Sequence, residues 1–414
     1  MLAGRLESDI YRLPAVFENG KDWPGDWCGR TILAQTLLYG ALDRVSPYLR
    51  DTVSYLPAQL NEKGYLGDIG DQTDEQQLSG HSWLLRGLCE YYGKYRDPSI
   101  LDIISGIVNG LYLPIYDRLS EYRAASTDAG GYSGSIASDS GKWRYSSDTG
   151  CAFISLDGLS AVYETVLPLV NDSPVDIPAL KRLIDRMIDI FGGYDIVGLR
   201  LQTHATLTAA RGILRMYGIS AASGHPDDKL LKLAAGIFDL YLSEGISAAY
   251  GNYNWFRRPE WTEPCAIIDS FMVAVQLFAY TGNSMYIDTA SKIKSAVYHS
   301  QRSNGGFGCD TCVGAVTDSG VIDKLRVSAY EAYWCCTMRG GEGLSRIAQY
   351  SYLDDGDTLI IPYLTDSTLE SEGIRIEQTT CKNCFSLKIS GNTRYKRIRI
   401  LTHGRMRNIR VKGC

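Results

Sequence analysis

The chain has 414 residues, 45% of them hydrophobic, with 42 Lys and Arg against 47 Asp and Glu for a net charge of −5. This is enough apolar material for one large domain plus a smaller one and excludes disorder as the default state. No Lys/Arg block of the kind that neutralises phosphate or anionic lipid occurs, and the amino terminus MLAGRLESDIYRL lacks the apolar core of a signal peptide. Neither nucleic acid nor a membrane is therefore expected as a partner, and oligomerisation is left open. Eleven cysteines, an odd number, fit reduced thiols and a cytoplasmic setting.

Helical spacing runs from about residue 28 to residue 350, and the segments come in pairs. Leu84, Leu85, Leu88, Cys89 and Tyr92 mark one stripe, and Ile103, Ile104, Ile107, Val108 and Leu111 mark the next. Further along, Leu180, Leu183, Ile184, Met187 and Phe191 precede Leu230, Leu233, Ala234, Ile237, Phe238 and Tyr241. The breaks at Asp97-Pro98-Ser99, His225-Pro226-Asp227-Asp228 and Thr281-Gly282-Asn283-Ser284 stop one helix and cap the next. Ten to twelve helices in successive hairpins predict a mainly α, (α/α)6 toroid over residues 1–353. Long polar, aromatic connections at 128–150 and 248–261 would gather at its mouth. From about Asp354 the period changes to two, and residues 354–414 read as the start of a short or truncated β-sandwich.

The chemistry concentrates at Glu263-Pro264-Cys265 and, seventy positions later, at Cys335-Cys336. Neighbouring cysteines rarely reach disulfide geometry, so a shared ion explains the pair better. Three soft thiolates and one carboxylate make a tetrahedral zinc set of Glu263, Cys265, Cys335 and Cys336. The bland alternative is a structural zinc that only staples two helix ends. Cys309-Asp310-Thr311-Cys312 and Cys381-Lys382-Asn383-Cys384 form two further CxxC pairs, and separate turns suit their 68-residue gap better than one joint metal site. Asp68, Asp71, Asp74 and Glu75 form an acidic loop before His81 that reads as a solvated turn.

Glu-x-Cys followed by Cys-Cys, within helical hairpins that run into strands, resembles glycoside hydrolase family 127, the β-L-arabinofuranosidases. The resemblance implies a retaining glycosidase in which zinc binds the four side chains and Cys335 is the nucleophile. It also implies that His81 and His204, at two helix heads, contact the sugar, with Tyr250, Asn252 and Trp255 along the same cleft and Trp23-Pro24-Gly25-Asp26-Trp27 at its floor. The family's general acid, a glutamate in a Tyr-Gly-Glu stretch, is here replaced in Tyr250-Gly251-Asn252. An amide cannot donate that proton. Glu260 is the first substitute, Glu331 the second, and absence of activity the third. Arg257 and Arg258 could hold a sugar, including an acidic one. The rival readings are a non-catalytic, zinc-stapled carbohydrate-binding or scaffold protein and a thiol-activating zinc enzyme of the lanthionine-cyclase kind; a metal shell with Glu263 and no histidine excludes the second.

Overall fold

Six helices of this computed structural model are buried on nearly every side. The model describes residues 1–124, 135–259, 261–317, 320–371, 373–380, 384–392 and 394–401. After the short helices α1 (Leu2–Leu6) and α2 (Ala15–Glu18), the helices alternate between two layers. They are α3 (Asp26–Ala41), α4 (Leu49–Tyr55), α5 (Glu75–Tyr95), α6 (Ser99–Ile107), α7 (Ser155–Val166), α8 (Ile177–Gly192), α9 (Thr203–Ala222), α10 (Asp228–Glu244), α11 (Pro264–Thr281), α12 (Ser284–His299) and α13 (Cys336–Gln349). The odd-numbered members from α3 to α13 each pack on the next, and α13 returns to α3, which closes the ring. The even-numbered members from α4 to α12 pack outside it, so the predicted toroid is the observed fold.

Sequence texture separates the layers. Outer α8 buries the single stripe Ile177, Leu180, Leu183, Ile184, Met187, Ile188 and Phe191, as a helix with one wet face must. Inner α3 instead buries residues from Asp26 to Tyr39 almost without interruption, because it has neighbours on all sides. Inner helix α11, and the segment Cys151–Leu169 that contains α7, are long and apolar enough to cross a bilayer, yet most of each is buried within the protein. The hairpin caps act as their residue types require: Asp227 accepts from the Lys229 N–H and Asn283 from the Met285 N–H.

Glycine sets the closest approach in the ring. A Cβ on Gly29 of α3 would lie 2.3 Å from the Leu84 nitrogen of α5, and one on Gly87 would lie 2.6 Å from the Gly29 carbonyl oxygen. Neither obstacle is a movable side chain. Gly29→Ala should therefore destabilise the fold by about 2 kcal/mol or more through forced separation of the helices, read as a lower urea midpoint. An unchanged midpoint would show that this contact can relax.

Small strands finish the architecture. β1 (Thr73–Asp74), β2 (Ile136–Ser140) and β3 (Trp143–Ser146) form a sheet in the order β1-β3-β2 beside the start of α5. β4 (Cys309–Asp310) pairs with β7 (Val327–Ala329), and β5 (Val316–Thr317) with β6 (Gly320–Val321), between α12 and α13. The C-terminal strands are β8 (Leu353–Asp355), β9 (Thr358–Ile361), β10 (Ser367–Ser371), β11 (Ile374–Thr380), β12 (Phe385–Gly391) and β13 (Arg397–Ile400). They make two three-stranded sheets, β13-β9-β8 and β10-β11-β12, around Leu359, Ile361, Ile374 and Ile376. The Tyr363 hydroxyl donates to the Ile347 carbonyl of α13 at 2.7 Å and ties this region to the toroid.

Candidate active site at the mouth of the ring

All six inner helices start at the same mouth, with Asp26, Glu75, Ser155, Thr203, Pro264 and Cys336 as their first residues. The four expected ligands meet there because α11 and α13 are ring neighbours. One ligand atom from each of Glu263, Cys265, Cys335 and Cys336 lies within 4.8 Å of all the others. The Cys336 sulfur is 3.3 Å from that of Cys335 and 3.6 Å from that of Cys265. Sulfurs bound tetrahedrally to zinc at about 2.3 Å stand about 3.8 Å apart, so the thiols are nearly in coordination geometry. Glu263 Oε2 is buried with no hydrogen-bond partner among the described residues, which fits a position for a cation. The donor set therefore suits a thiophilic divalent metal.

The three thiols are not equivalent. Cys265 and Cys336 are fully buried, whereas Cys335 is partly exposed and is the N-cap of α13. Hydrogen bonds from Cys265 and Cys336 hold the Cys335 thiol down to about 7, and Arg30 assists. Burial pushes Cys265 up to about 11 and drives Cys336 and the Glu263 carboxyl well above their ordinary values. The metal-free cluster thus retains protons that a metal must displace. Zinc added to metal-free protein at pH 7 should release more than one proton per ion into weakly buffered dye, and affinity should rise with pH. Binding without proton release would mean that the metal sits elsewhere.

A buried polar scaffold holds this cluster in place. Asp26 pairs with Arg30 through two 2.8 Å contacts, and Arg30 Nη1 lies 3.9 Å from the Cys265 sulfur. The guanidinium carbons of Arg30 and Arg339 stand 4.2 Å and 4.4 Å from the centre of the Trp83 ring, and the His204 ring stacks on Trp83 at 5.7 Å with a 9° tilt. Asp269 receives His204 Nδ1 at 2.7 Å, Arg211 Nη1 at 2.7 Å and the Arg339 guanidinium. Arg211 also reaches Glu342 at 2.8 Å and Asp157 at 3.4 Å, and Arg86 lies on Asp157 at 3.0 Å. None of Trp83, Arg30, Arg211, Asp269, Arg339 or Glu342 stands out in the sequence, because charges on a helix read as a solvated face. The one available signal was the lack of any exposed stripe on these helices.

The other expected residues separate into two groups. His204 is 3% exposed, and its Nε2 has no partner among the described residues. His81 is fully buried, with Nε2 accepting from the Leu66 N–H at 2.9 Å and Nδ1 at 2.8 Å from the Gln77 carbonyl. Both its nitrogens bond to backbone and support the 66–68 turn. Burial also lowers the His81 pKa to about 4, which keeps the ring neutral.

Asn252 is likewise committed within the protein. Its amide donates to Thr203 Oγ1 and the Tyr253 carbonyl, and its oxygen accepts from Thr262 Oγ1 and the Glu263 N–H. These bonds brace the Glu263 loop against α9. The Trp255 indole donates to the Ser147 carbonyl and packs at right angles to Trp261. It is 3% exposed. Tyr250 is partly buried at a positive φ of 63°, with Lys292 over its ring. Glu331 is bound to Arg5, Asn304 and Thr337. Glu260 lies outside the described residues.

A cavity of about 1110 Å³ lies against the start of α3 and the approach to α5, walled by Trp23, Trp27, Asp68, Asp71, Asp74 and Gln76 among others, and none of the four cluster residues lines it. The Trp23–Trp27 segment borders this cavity, and Asp68 and Asp71 are exposed, as a solvated turn requires, while also lining its wall. The Trp27 ring is 6.0 Å from that of Tyr333, which lies two residues before Cys335 in the chain. Glu75 turns away to Tyr122 and the Ser146 N–H, and burial raises its pKa to about 7. Cys309 and Cys312 are buried, while Cys384 is disulfide-bonded and Cys381 is outside the described residues.

No family model matches the chain, and no curated protein matches it in sequence. Solved structures do match. A family 127 β-L-arabinofuranosidase from Geobacillus stearothermophilus T6 superposes with a TM-score of 0.58 at 15% identity, over 95% of this chain and 66% of that one. The chain has the fold of the family 127 glycoside hydrolases. A second family 127 β-arabinofuranosidase gives 0.58 at 14% identity over 94% and 62%, and a further glycoside hydrolase 0.59 at 13% over 89% and 64%. The chain therefore spans just under two thirds of the length of these structures. At such identity the likeness carries the fold, and the chemistry rests on the side chains at the mouth.

Proposed function

We propose that the protein is a retaining glycoside hydrolase whose nucleophile is the Cys335 thiolate within a zinc site formed by Glu263, Cys265, Cys335 and Cys336. The observation that carries this reading is the inequality of the cluster: two thiols and a carboxylate are sealed in, and the third thiol, at a helix N-terminus, faces the mouth. Bound zinc would supply a fixed positive charge that keeps the thiols ionised. Cys335 Sγ would then attack the anomeric carbon, forming a carbon–sulfur bond as the carbon–oxygen bond to the leaving group breaks. Water would reverse that exchange, and two inversions retain configuration. Arg30, fixed by Asp26 and stacked on Trp83, partly balances the negative charge that three thiolates and Glu263 bring.

L-Arabinofuranosides are the first substrate class, supported by the named activity of the two family 127 structures. The cavity supports a substrate longer than one sugar. Its Asp22, Asp68, Asp71 and Asp74 outnumber Lys21 and Arg144, which favours neutral sugars over uronic acids. Arg257, considered above for an acidic sugar, is instead paired with Glu244 at 2.8 Å.

The test is hydrolysis of a panel of aryl furanosides and pyranosides by protein of measured zinc content, before and after chelation. Turnover that disappears with zinc and returns on reloading is expected. A metal-loaded protein that cleaves none of them but binds arabino-oligosaccharides would establish the non-catalytic reading, which the committed Asn252 amide favours.

A further inference from the structure

The hydrolase reading requires a proton donor, and the position of the family's glutamate holds an amide consumed by four internal hydrogen bonds. We infer that His204, oriented by Asp269, is the acid and base of the reaction; the inference rests on the proposed glycosidase activity.

Asp269 is held ionised against the cost of burial by Arg339 and Arg211, so it accepts the proton of His204 Nδ1 at 2.7 Å. This fixes the tautomer and leaves Nε2, on the opposite edge of the ring, as the position that exchanges protons. That nitrogen is buried and unpartnered among the described residues. Burying such a group without a partner costs about 1–3 kcal/mol, so its retention at the mouth points to a ligand atom. Trp83 on one face prevents the ring from turning, and Thr208 Oγ1 braces Asp269 at 2.9 Å. The neighbouring Thr203 hydroxyl joins the Asn252 segment that adjoins Glu263, and Cys265 is near enough to feel the His204 charge.

In the first half-reaction Cys335 sulfur bonds to the anomeric carbon, the carbon–oxygen bond breaks, and the proton on Nε2 passes to the departing oxygen. In the second, water oxygen bonds to the anomeric carbon, the carbon–sulfur bond breaks, and the water proton returns to Nε2.

His204→Asn in the zinc-loaded enzyme tests this with leaving groups of different basicity. The expected result is a loss of about 10²–10⁴-fold for alkyl and sugar leaving groups and a much smaller loss of glycosylation for dinitrophenyl glycosides, whose departure needs no proton. A Cys335 adduct should accumulate with the latter, visible by intact mass, and azide should rescue turnover. An equal loss for every leaving group overturns the inference, as does the same selective pattern in Glu260→Gln. His204→Gln substitutes if Asn fails to fold. Should both fail, ¹⁵N-histidine spectra of the wild-type holoenzyme decide, because an Nε2 that binds no proton between about pH 5 and 8 also overturns it. Wild-type turnover and adduct formation are the controls. Their absence defeats the hydrolase reading itself, whereas their presence with an unselective His204 variant defeats only this assignment.

Discussion

Cys335→Ser is expected to lower turnover by about 10⁴-fold or more, the scale seen when a covalent nucleophile is removed. A serine hydroxyl is almost wholly protonated at pH 7, whereas Cys335 is held near 7 by its two neighbouring thiols and is ionised further by a bound cation. Binding of an arabino-oligosaccharide, followed by tryptophan fluorescence, should survive, because Trp23, Trp27 and the cavity acids are untouched. Zinc should bind more weakly but still bind, since Glu263, Cys265 and Cys336 remain. Cys336→Ser should behave differently. That side chain is fully buried, so its loss should act through zinc affinity and stability, and excess zinc should restore part of the activity. If Cys335→Ser keeps wild-type turnover while Cys336→Ser does not, the two cysteines have been assigned the wrong roles.

The second large effect lies in the ion network on the axis of the ring. Arg211→Met should destabilise the fold by about 3–5 kcal/mol, because Asp157, Asp269 and Glu342 would each lose a buried partner. Glu90→Gln, at the partly exposed end with Arg346 and Arg86, should cost far less. The network also predicts sensitivity to acid. Burial works against ionisation, but Arg211, Arg215 and Arg86 hold Asp157 below the carboxylate range, Arg339 and Arg211 do so for Asp269, and Arg346 and Arg86 bring Glu90 down to about 2. Groups with folded pKa values below unfolded ones stabilise the protein above about pH 4, and that contribution disappears as pH falls toward the folded values. Unfolding monitored between pH 5 and pH 2 should therefore steepen below about pH 4. Arg211→Met should weaken this dependence, and an unchanged pH dependence in that variant would count against the network as its source.

The outer helices and their caps were legible because each has one wet face, so spacing alone locates the buried stripe of α8. Inner helices were legible as helices, but not in what their polar residues do. Arg339 and Glu342 on α13 look like a solvent-facing pair, yet both are fully buried. The small sheet beside the mouth escaped notice because Thr73 and Asp74 pair in parallel with Trp143 and Arg144 across a gap no periodicity spans. His81 and His204 share the same helix-head context in sequence and have opposite fates: one bonds both nitrogens to backbone, and the other keeps Nε2 buried with no partner among the described residues.

By itself, the sequence determined the helical-hairpin toroid, the change to strands near Asp354 and the identity of the four candidate ligands. Those features depend on local periodicity, capping and the softness of sulfur, which residues carry wherever they are placed. Tertiary structure decided which cysteine of the adjacent pair is partly exposed, which histidine keeps a nitrogen unpartnered among the described residues, that the Asn252 amide bonds within the protein, and that the acids near residue 70 border a cavity. These depend on ring closure, which brings α13 against both α3 and α11, and on burial, which alone gives a charged or polar group its energetic consequence.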